Sequence, residues 1–104
     1  MILFGTLILS PIYESFIIAG INYLFHNNVQ NVKAKFAYSA ICCSLFAFAS
    51  HTLINQSLAN GVNASIGFAF FSVQASYLMH KKLGNFVIPS LILSHFAANL
   101  LTLI

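Results

Sequence analysis

Four long apolar stretches, separated by short polar joints, constrain the fold of this chain more than any other feature. They cover residues 3–25, 36–54, 62–79 and 86–104, and each is about 18–23 residues long. A helix needs roughly 20 residues to cross a bilayer, and none of the stretches alternates as the strands of a membrane barrel do. We therefore expect an all-α integral membrane bundle of about four transmembrane helices, built as one domain from residues 1–104.

The balance of charge supports the same expectation. The composition is 60% hydrophobic and 5% charged, with four lysines, one glutamate and no arginine, whereas a soluble domain averages about 25% charged residues. So few charges cannot cover the surface of a soluble domain of this length. There is no basic patch for nucleic acid. The expected partner is the lipid bilayer, and the expected location is the cell membrane, crossed several times.

The lysines predict an orientation. Lys33 and Lys35 lie in the first polar joint, residues 26–35, and Lys81 and Lys82 lie in the third, residues 80–85, while the second joint, residues 55–61, carries none. Cytoplasmic loops of membrane proteins are enriched in lysine and arginine. We therefore expect the first and third joints in the cytoplasm and both termini outside, with His26 and His80, beside the lysines, solvated.

Small residues recur at helical spacing in two of the apolar stretches. They are Ala40, Ser44, Ala47 and His51 in the second stretch and Gly61, Ser65, Ala69, Ser72 and Ser76 in the third. Small side chains let helix backbones approach closely in lipid. We expect these two stripes to be helix-packing faces.

Glu14 is the only acidic residue, and it lies inside an apolar stretch that contains no lysine or arginine. Placing a carboxylate at the centre of a membrane helix costs roughly 2.5–3.5 kcal/mol on insertion scales, and such residues usually have a function. The available partners are His51 and His95, in other apolar stretches. Asn99 follows His95 by four positions and therefore lies on the same helix face.

These four residues are of the types that bind and activate water. A carboxylate serves as a base, an imidazole as base, donor or ligand, and an amide as donor. Imidazole and carboxylate also suit zinc, so His51 and His95 are candidate metal ligands, although no HExxH motif is present. The structural alternative is a hydrogen bond of Glu14 across helices.

The chain contains three motifs, at residues 11–20 (PIYESFIIAG), 46–51 (FAFASH) and 95–99 (HFAAN). These motifs resemble those of the CAAX prenyl protease and bacteriocin-processing (CPBP, or Abi) intramembrane proteases. Residues 11–20 (PIYESFIIAG) take the place of the first motif, a glutamate pair after a proline and before Phe-Arg-Gly. Residues 46–51 (FAFASH) take the place of the second, and residues 95–99 (HFAAN) match the third, His-x-x-x-Asn or Asp. Their order, spacing and distribution over the helices agree with the family, so the resemblance covers nearly the whole chain.

The resemblance implies a glutamate-dependent, metal-free or metal-assisted peptidase that acts on a membrane-embedded or lipidated peptide or protein. Carried over by position, Glu14 and His51 activate the water, and His95 and Asn99 bind the developing oxyanion or complete a metal site. The chain departs from the family pattern at three positions. Ser15 replaces the second glutamate, Ala19 the arginine, and Ala47 the phenylalanine four residues before the second-motif histidine.

Two alternatives to a protease stay open at this stage. A non-catalytic protein of the same fold, acting in bacteriocin immunity or as a membrane scaffold, is suggested by Ser15 and Ala19. A proton relay or small transporter subunit would also use an intramembrane glutamate with histidines, but four spans without an inverted repeat make it less favoured.

Overall fold

The structure, a computed structural model that describes residues 9–103, is all-helical and has no strand in that range. Its helices are α1, Ser10–Asn28; α2, Val32–Asn55; α3, Leu58–His80; and α4, Val87–Leu103, which follows a 3-10 turn at Gly84–Phe86. The expectation of an all-α fold is confirmed. The beginning of the first apolar stretch, residues 3–8, and residue 104 lie outside the described residues.

Two of the expected helix boundaries are wrong, and side-chain caps explain why. Asn31 accepts a hydrogen bond from the Ala34 backbone N at 2.9 Å, so α2 begins at Val32, and Lys33 and Lys35 lie in its first turns rather than in a loop. Ser57 accepts from the Asn60 backbone N, so α3 begins at Leu58 and the second joint shrinks to residues 56–57. Such caps satisfy amide groups that a helix otherwise leaves unpaired at its beginning.

The four helices do not contribute equally to the interior. α1 and α3 each contact all three other helices, whereas the described residues of α2 and α4 pack only on α1 and α3 and not on each other. α2 and α3 share the most extensive interface. The bundle measures 41 × 26 × 18 Å, so it is elongated and only about two helix diameters thick at its narrowest.

Within residues 9–103, two segments are long and apolar enough to cross a membrane: Val32–Ile54 in α2, and Gly84–Leu101 in α4 with its preceding turn. Only 17% of each apolar window is buried, unlike the core helix of a soluble protein. Leu53, Ile54 and Leu93 are more than two thirds exposed. The exposed apolar surfaces of α2 and α4 therefore suggest a membrane protein. The helices α1 and α3 differ from them in the polar residues that they carry.

A fully buried hydrogen-bond network joins the two central helices. Asn22 of α1 donates to Ser72 Oγ of α3 at 3.1 Å and to its own helix at Ile18 O, and its Oδ1 accepts from Ser72 and Ser76. Cys43 of α2 lies 3.8 Å from the same amide nitrogen. Asn22, Ser72 and Ser76 are completely buried, so this network ties α1 to α3 where water cannot compete.

The small-residue stripes are packing faces, as expected. Ser44 donates to the Ser65 carbonyl oxygen across the α2–α3 interface at 3.0 Å, and Ala47 is completely buried. Gly61 faces α2 so closely that an added Cβ would lie 1.8 Å from Thr52 Oγ1 and 3.0 Å from the Phe48 carbonyl oxygen. Only glycine permits this approach of the two backbones.

We expect Gly61→Ala to lower the free energy of unfolding by about 1–3 kcal/mol, because the methyl group forces α2 and α3 apart. Reversible unfolding in mixed micelles measures the change. Gly67→Ala is the matched control in the same helix, since its Cβ would meet nothing within 4 Å. It should be neutral or stabilising by up to about 1 kcal/mol. Equal effects of the two substitutions would contradict the close approach.

Asn22→Ala should be destabilising by about 1–3 kcal/mol, because it leaves the hydroxyls of Ser72 and Ser76 without their acceptor in the core. The same unfolding assay measures it. Asn28→Ala is the control, since the exposed Asn28 bonds only to the Leu24 carbonyl of its own helix. A stability change no larger than that of the control would show that the network contributes nothing.

Candidate functional site

The structure brings Glu14 and His51 into direct contact. His51 Nε2 lies 3.1 Å from Glu14 Oε2, which joins the beginning of α1 to the end of α2. The side chain of Glu14 is 12% exposed and that of His51 is 31% exposed, so the pair lies at the edge of the interior rather than at its centre. This arrangement holds a carboxylate against an imidazole with one side open.

His95 of α4 approaches the other oxygen of the same carboxylate. Its Nε2 lies 3.9 Å from Glu14 Oε1, and this buried nitrogen makes no hydrogen bond to the described residues. On the other side of the ring, Nδ1 lies 3.2 Å from Ser15 Oγ, and Ser15 is completely buried. When the Ser15 hydroxyl donates to Nδ1, the neutral ring carries its proton on Nε2, directed toward Glu14.

Two phenylalanines of α3 hold the histidine rings in place. Phe71 packs edge-on against His95 with the ring centroids 4.0 Å apart. Phe68, nearly fully buried, packs against both imidazoles, with its ring centroid 5.6 Å from that of His95 and 6.0 Å from that of His51. Since packed aromatic neighbours restrict rotation of an imidazole, the three polar side chains are held by all four helices.

These residues line one cavity of about 390 Å³. Asn99 lies on its wall together with His95, as the spacing of four residues predicted, and Asn60 and Asn63 of α3 line it on the side of the second joint. Gly67 lines it without any side chain. The structure therefore gathers the four residues singled out from the sequence, Glu14, His51, His95 and Asn99, around a single space.

A metal ion beside Glu14 would require several donor side chains around a common centre. In residues 9–103 there is no group of three or more His, Cys, Asp or Glu side chains that could hold one. Zinc binding by His51 and His95 stays a prediction, and the chemistry below uses no metal.

Sequence reasoning missed three contributors to the site. Ser15 was noted only as a departure from the family pattern, yet it contacts His95. Phe68 and Phe71 belong to a run of phenylalanine in α3 that gives no indication of which ring faces inward. Of these three residues, only Ser15 could have been suspected from the sequence, because it is next to Glu14.

No protein-family model, curated protein or solved structure matches this chain.

The contact between Ser15 and His95 can be tested with a double-mutant cycle. We expect Ser15→Ala and His95→Phe to be coupled by about 1 kcal/mol in unfolding free energy, the net worth of one hydrogen bond. The control cycle pairs His95→Phe with Tyr13→Phe, because Tyr13 is more than half exposed beside the site. The control should be additive within about 0.5 kcal/mol, and a Ser15 cycle that is equally additive would refute the contact.

Proposed function

We propose that this chain is a glutamate-dependent intramembrane endopeptidase of the CPBP type, built from four transmembrane helices in the cell membrane. Glu14 acts as the general base, His51 positions it, and His95 with Asn99 binds the oxyanion. The proposed substrate is a membrane-embedded or lipidated peptide or protein. The helical fold supports the proposed membrane crossings, and the side-chain geometry around Glu14 supports the proposed hydrolysis.

The inward direction of the polar residues supports four membrane crossings. α1 and α3, which have 19 and 23 residues, are long enough to span a bilayer core but carry more polar groups than α2 and α4. Their groups bond to one another, through Asn22 with Ser72 and Ser76, or face the cavity. Polar groups satisfied inside a bundle do not oppose insertion, since lipid meets only the outer faces.

The hydrolytic steps follow from the positions of the side chains. A water in the cavity gives a proton to a Glu14 oxygen while its own oxygen attacks the substrate carbonyl carbon. His51 Nε2–H donates to the second carboxylate oxygen and keeps it oriented. The N–H of His95 Nε2 and the amide of Asn99 stabilise the negative carbonyl oxygen. Glu14 then gives the proton to the leaving nitrogen as the carbon–nitrogen bond breaks.

The observation that carries the proposal is the placement of one carboxylate between two histidines from separate helices, beside an open cavity. A carboxylate needed only for helix packing would be satisfied by His51 alone. Here a second, fully buried imidazole nitrogen approaches at 3.9 Å without a hydrogen bond to the described residues. That separation is suited to a bridging water or a substrate oxygen.

A second candidate function, a non-catalytic immunity or scaffold protein of the same fold, is favoured by Ser15 and Ala19. The Ser15 hydroxyl is hydrogen-bonded to His95, and Ala19 is an uncharged residue that is 8% exposed. Neither residue supplies the charge that the family pattern places at its position. In this reading the cavity holds a peptide without cleaving it. The two readings differ in whether the carboxylate of Glu14 is needed.

Glu14→Gln should lower the cleavage rate by about 10²–10⁴-fold, the usual contribution of a general base. The assay uses purified protein in liposomes with prenylated and transmembrane peptides, and product is followed by mass spectrometry. Glutamine keeps the shape and the hydrogen bonding capacity toward His51, so the fold should persist.

Tyr13→Phe is the control for this experiment and should keep full activity, because Tyr13 faces outward from the same turn. Gly67→Leu provides a second test, because Gly67 lines the cavity and an added Cβ meets nothing within 4 Å. The leucine side chain should occupy the cavity and slow cleavage by raising KM. Cleavage that is unchanged in Glu14→Gln would refute the role of Glu14. Binding of the peptide without cleavage in the unaltered protein would favour the scaffold reading.

The side of the membrane to which the site opens can also be tested. The lysines gather at the bundle end opposite the cavity, so the positive-inside rule predicts an outward-opening site. Single cysteines at Asn60 and Lys82, in a background with Cys42 and Cys43 replaced, should differ in labelling by a membrane-impermeant reagent in intact cells. We expect labelling at position 60 only, and labelling at position 82 alone would reverse the orientation.

A further inference from the structure

A second cavity, of about 490 Å³, lies at the lysine-bearing end of the bundle. Its polar lining is Tyr23, His26, Asn27, Lys35 and Asn85. These residues come from α1, α2 and the segment before α4, so the tertiary fold assembles them. The cavity is separate from that around Glu14 and shares none of its lining residues.

This end carries positive charge that the protein does not neutralise. Glu14, the only acidic side chain, is held at the opposite end by His51. Lys35 therefore has no carboxylate side chain within reach. His26, expected to be solvated, instead has its Nε2 enclosed and without a hydrogen bond to the described residues.

An apolar groove of about 300 Å³ continues from this cavity between α1 and α4. The two spaces share Tyr23, Met79 and Gly84, and the groove is otherwise lined by Phe16, Ala19, Gly20, Val87 and Ile88. A cationic, polar cavity that opens into an apolar groove matches one kind of molecule, an anionic head attached to a hydrocarbon chain. A free anion would leave the groove unused.

We propose that this composite site binds one anionic glycerophospholipid. Lys35, with the amides of Asn27 and Asn85, binds the phosphate, and an acyl chain lies in the groove along Gly20 and Ile88. Basic pockets between membrane helices are suited to anionic head groups, particularly on the cytoplasmic side where the lysines are expected. The site depends on the protein being in a membrane but not on any catalytic role of Glu14.

The test measures retained lipid by native mass spectrometry after release from mixed vesicles of phosphatidylglycerol and phosphatidylcholine with the same acyl chains. The unaltered protein should retain one phosphatidylglycerol with at least about fivefold preference. Lys35→Gln should lower retention about fivefold or more, the effect of one lysine near an anionic head group. Lys33→Gln removes the same charge two residues away, outside both spaces, and should have little effect.

Gly20→Leu tests the groove, because Gly20 lines it and an added Cβ there meets nothing within 4 Å. It should lower retention about as much as Lys35→Gln. Gly84→Leu, at the junction of the two spaces and with nothing within 4 Å of an added Cβ, repeats the test if Gly20→Leu does not fold. Gly67→Leu is the matched control, since it fills the cavity at Glu14 and should leave retention unchanged.

Three results would overturn the proposal. Equal loss in the Lys33 and Lys35 variants would indicate diffuse attraction of lipid to the charged end. Unchanged retention in both folded leucine variants at positions 20 and 84 would exclude the acyl chain from the groove. Displacement of the lipid by glycerol 3-phosphate at comparable concentration would identify a site for a free anion. Because Glu14→Gln should retain lipid normally, failure of this proposal and of the peptidase proposal are distinguishable.

Discussion

Polar side chains in this bundle have to be satisfied by one another, because its outer faces are largely apolar. Glu14 meets His51 and His95, Asn22 meets Ser72 and Ser76, and Gln74 of α3 donates to Ser90 and Ser94 of α4. In an apolar surrounding an unmade hydrogen bond costs more than in water. Each of these contacts therefore selects which helix faces meet, and together they determine the arrangement of the four helices.

The need to satisfy buried polar groups distinguishes a cluster that stabilises the fold from a cluster that is suited to chemistry. The network at Asn22 is completely buried. Its donors and acceptors bond to one another and thereby stabilise the packing of α1 against α3. At Glu14, by contrast, the buried His95 Nε2 makes no hydrogen bond to the described residues, and the cluster faces an open cavity. A saturated cluster supports a fold, whereas an unsaturated one beside a cavity is suited to binding and activating a small molecule. The α2–α3 contact at Gly61 supports the position of His51, since both lie on that interface.

Several features could be predicted from the sequence because they depend on local patterns. The helical class follows from apolar stretches of membrane-spanning length, and the packing faces follow from small residues at helical spacing. His95 and Asn99 share a wall because four residues complete about one turn. The beginnings of α2 and α3 were missed, since caps by Asn31 and Ser57 extend helices into segments that look like loops.

The linear order of residues shows which side chains are too polar for an apolar surrounding and which helix carries each of them. Their partners follow only from how the helices pack. Nothing local pairs Ser15 with His95, 80 residues away, or directs Asn22 to Ser72 and Ser76. Nor does periodicity show that Phe68 packs against both histidines, or that His26 and Lys35 line one cavity. Such pairings depend on how helices are rotated and placed against one another, and those choices minimise unsatisfied polar groups over the whole bundle rather than within one segment.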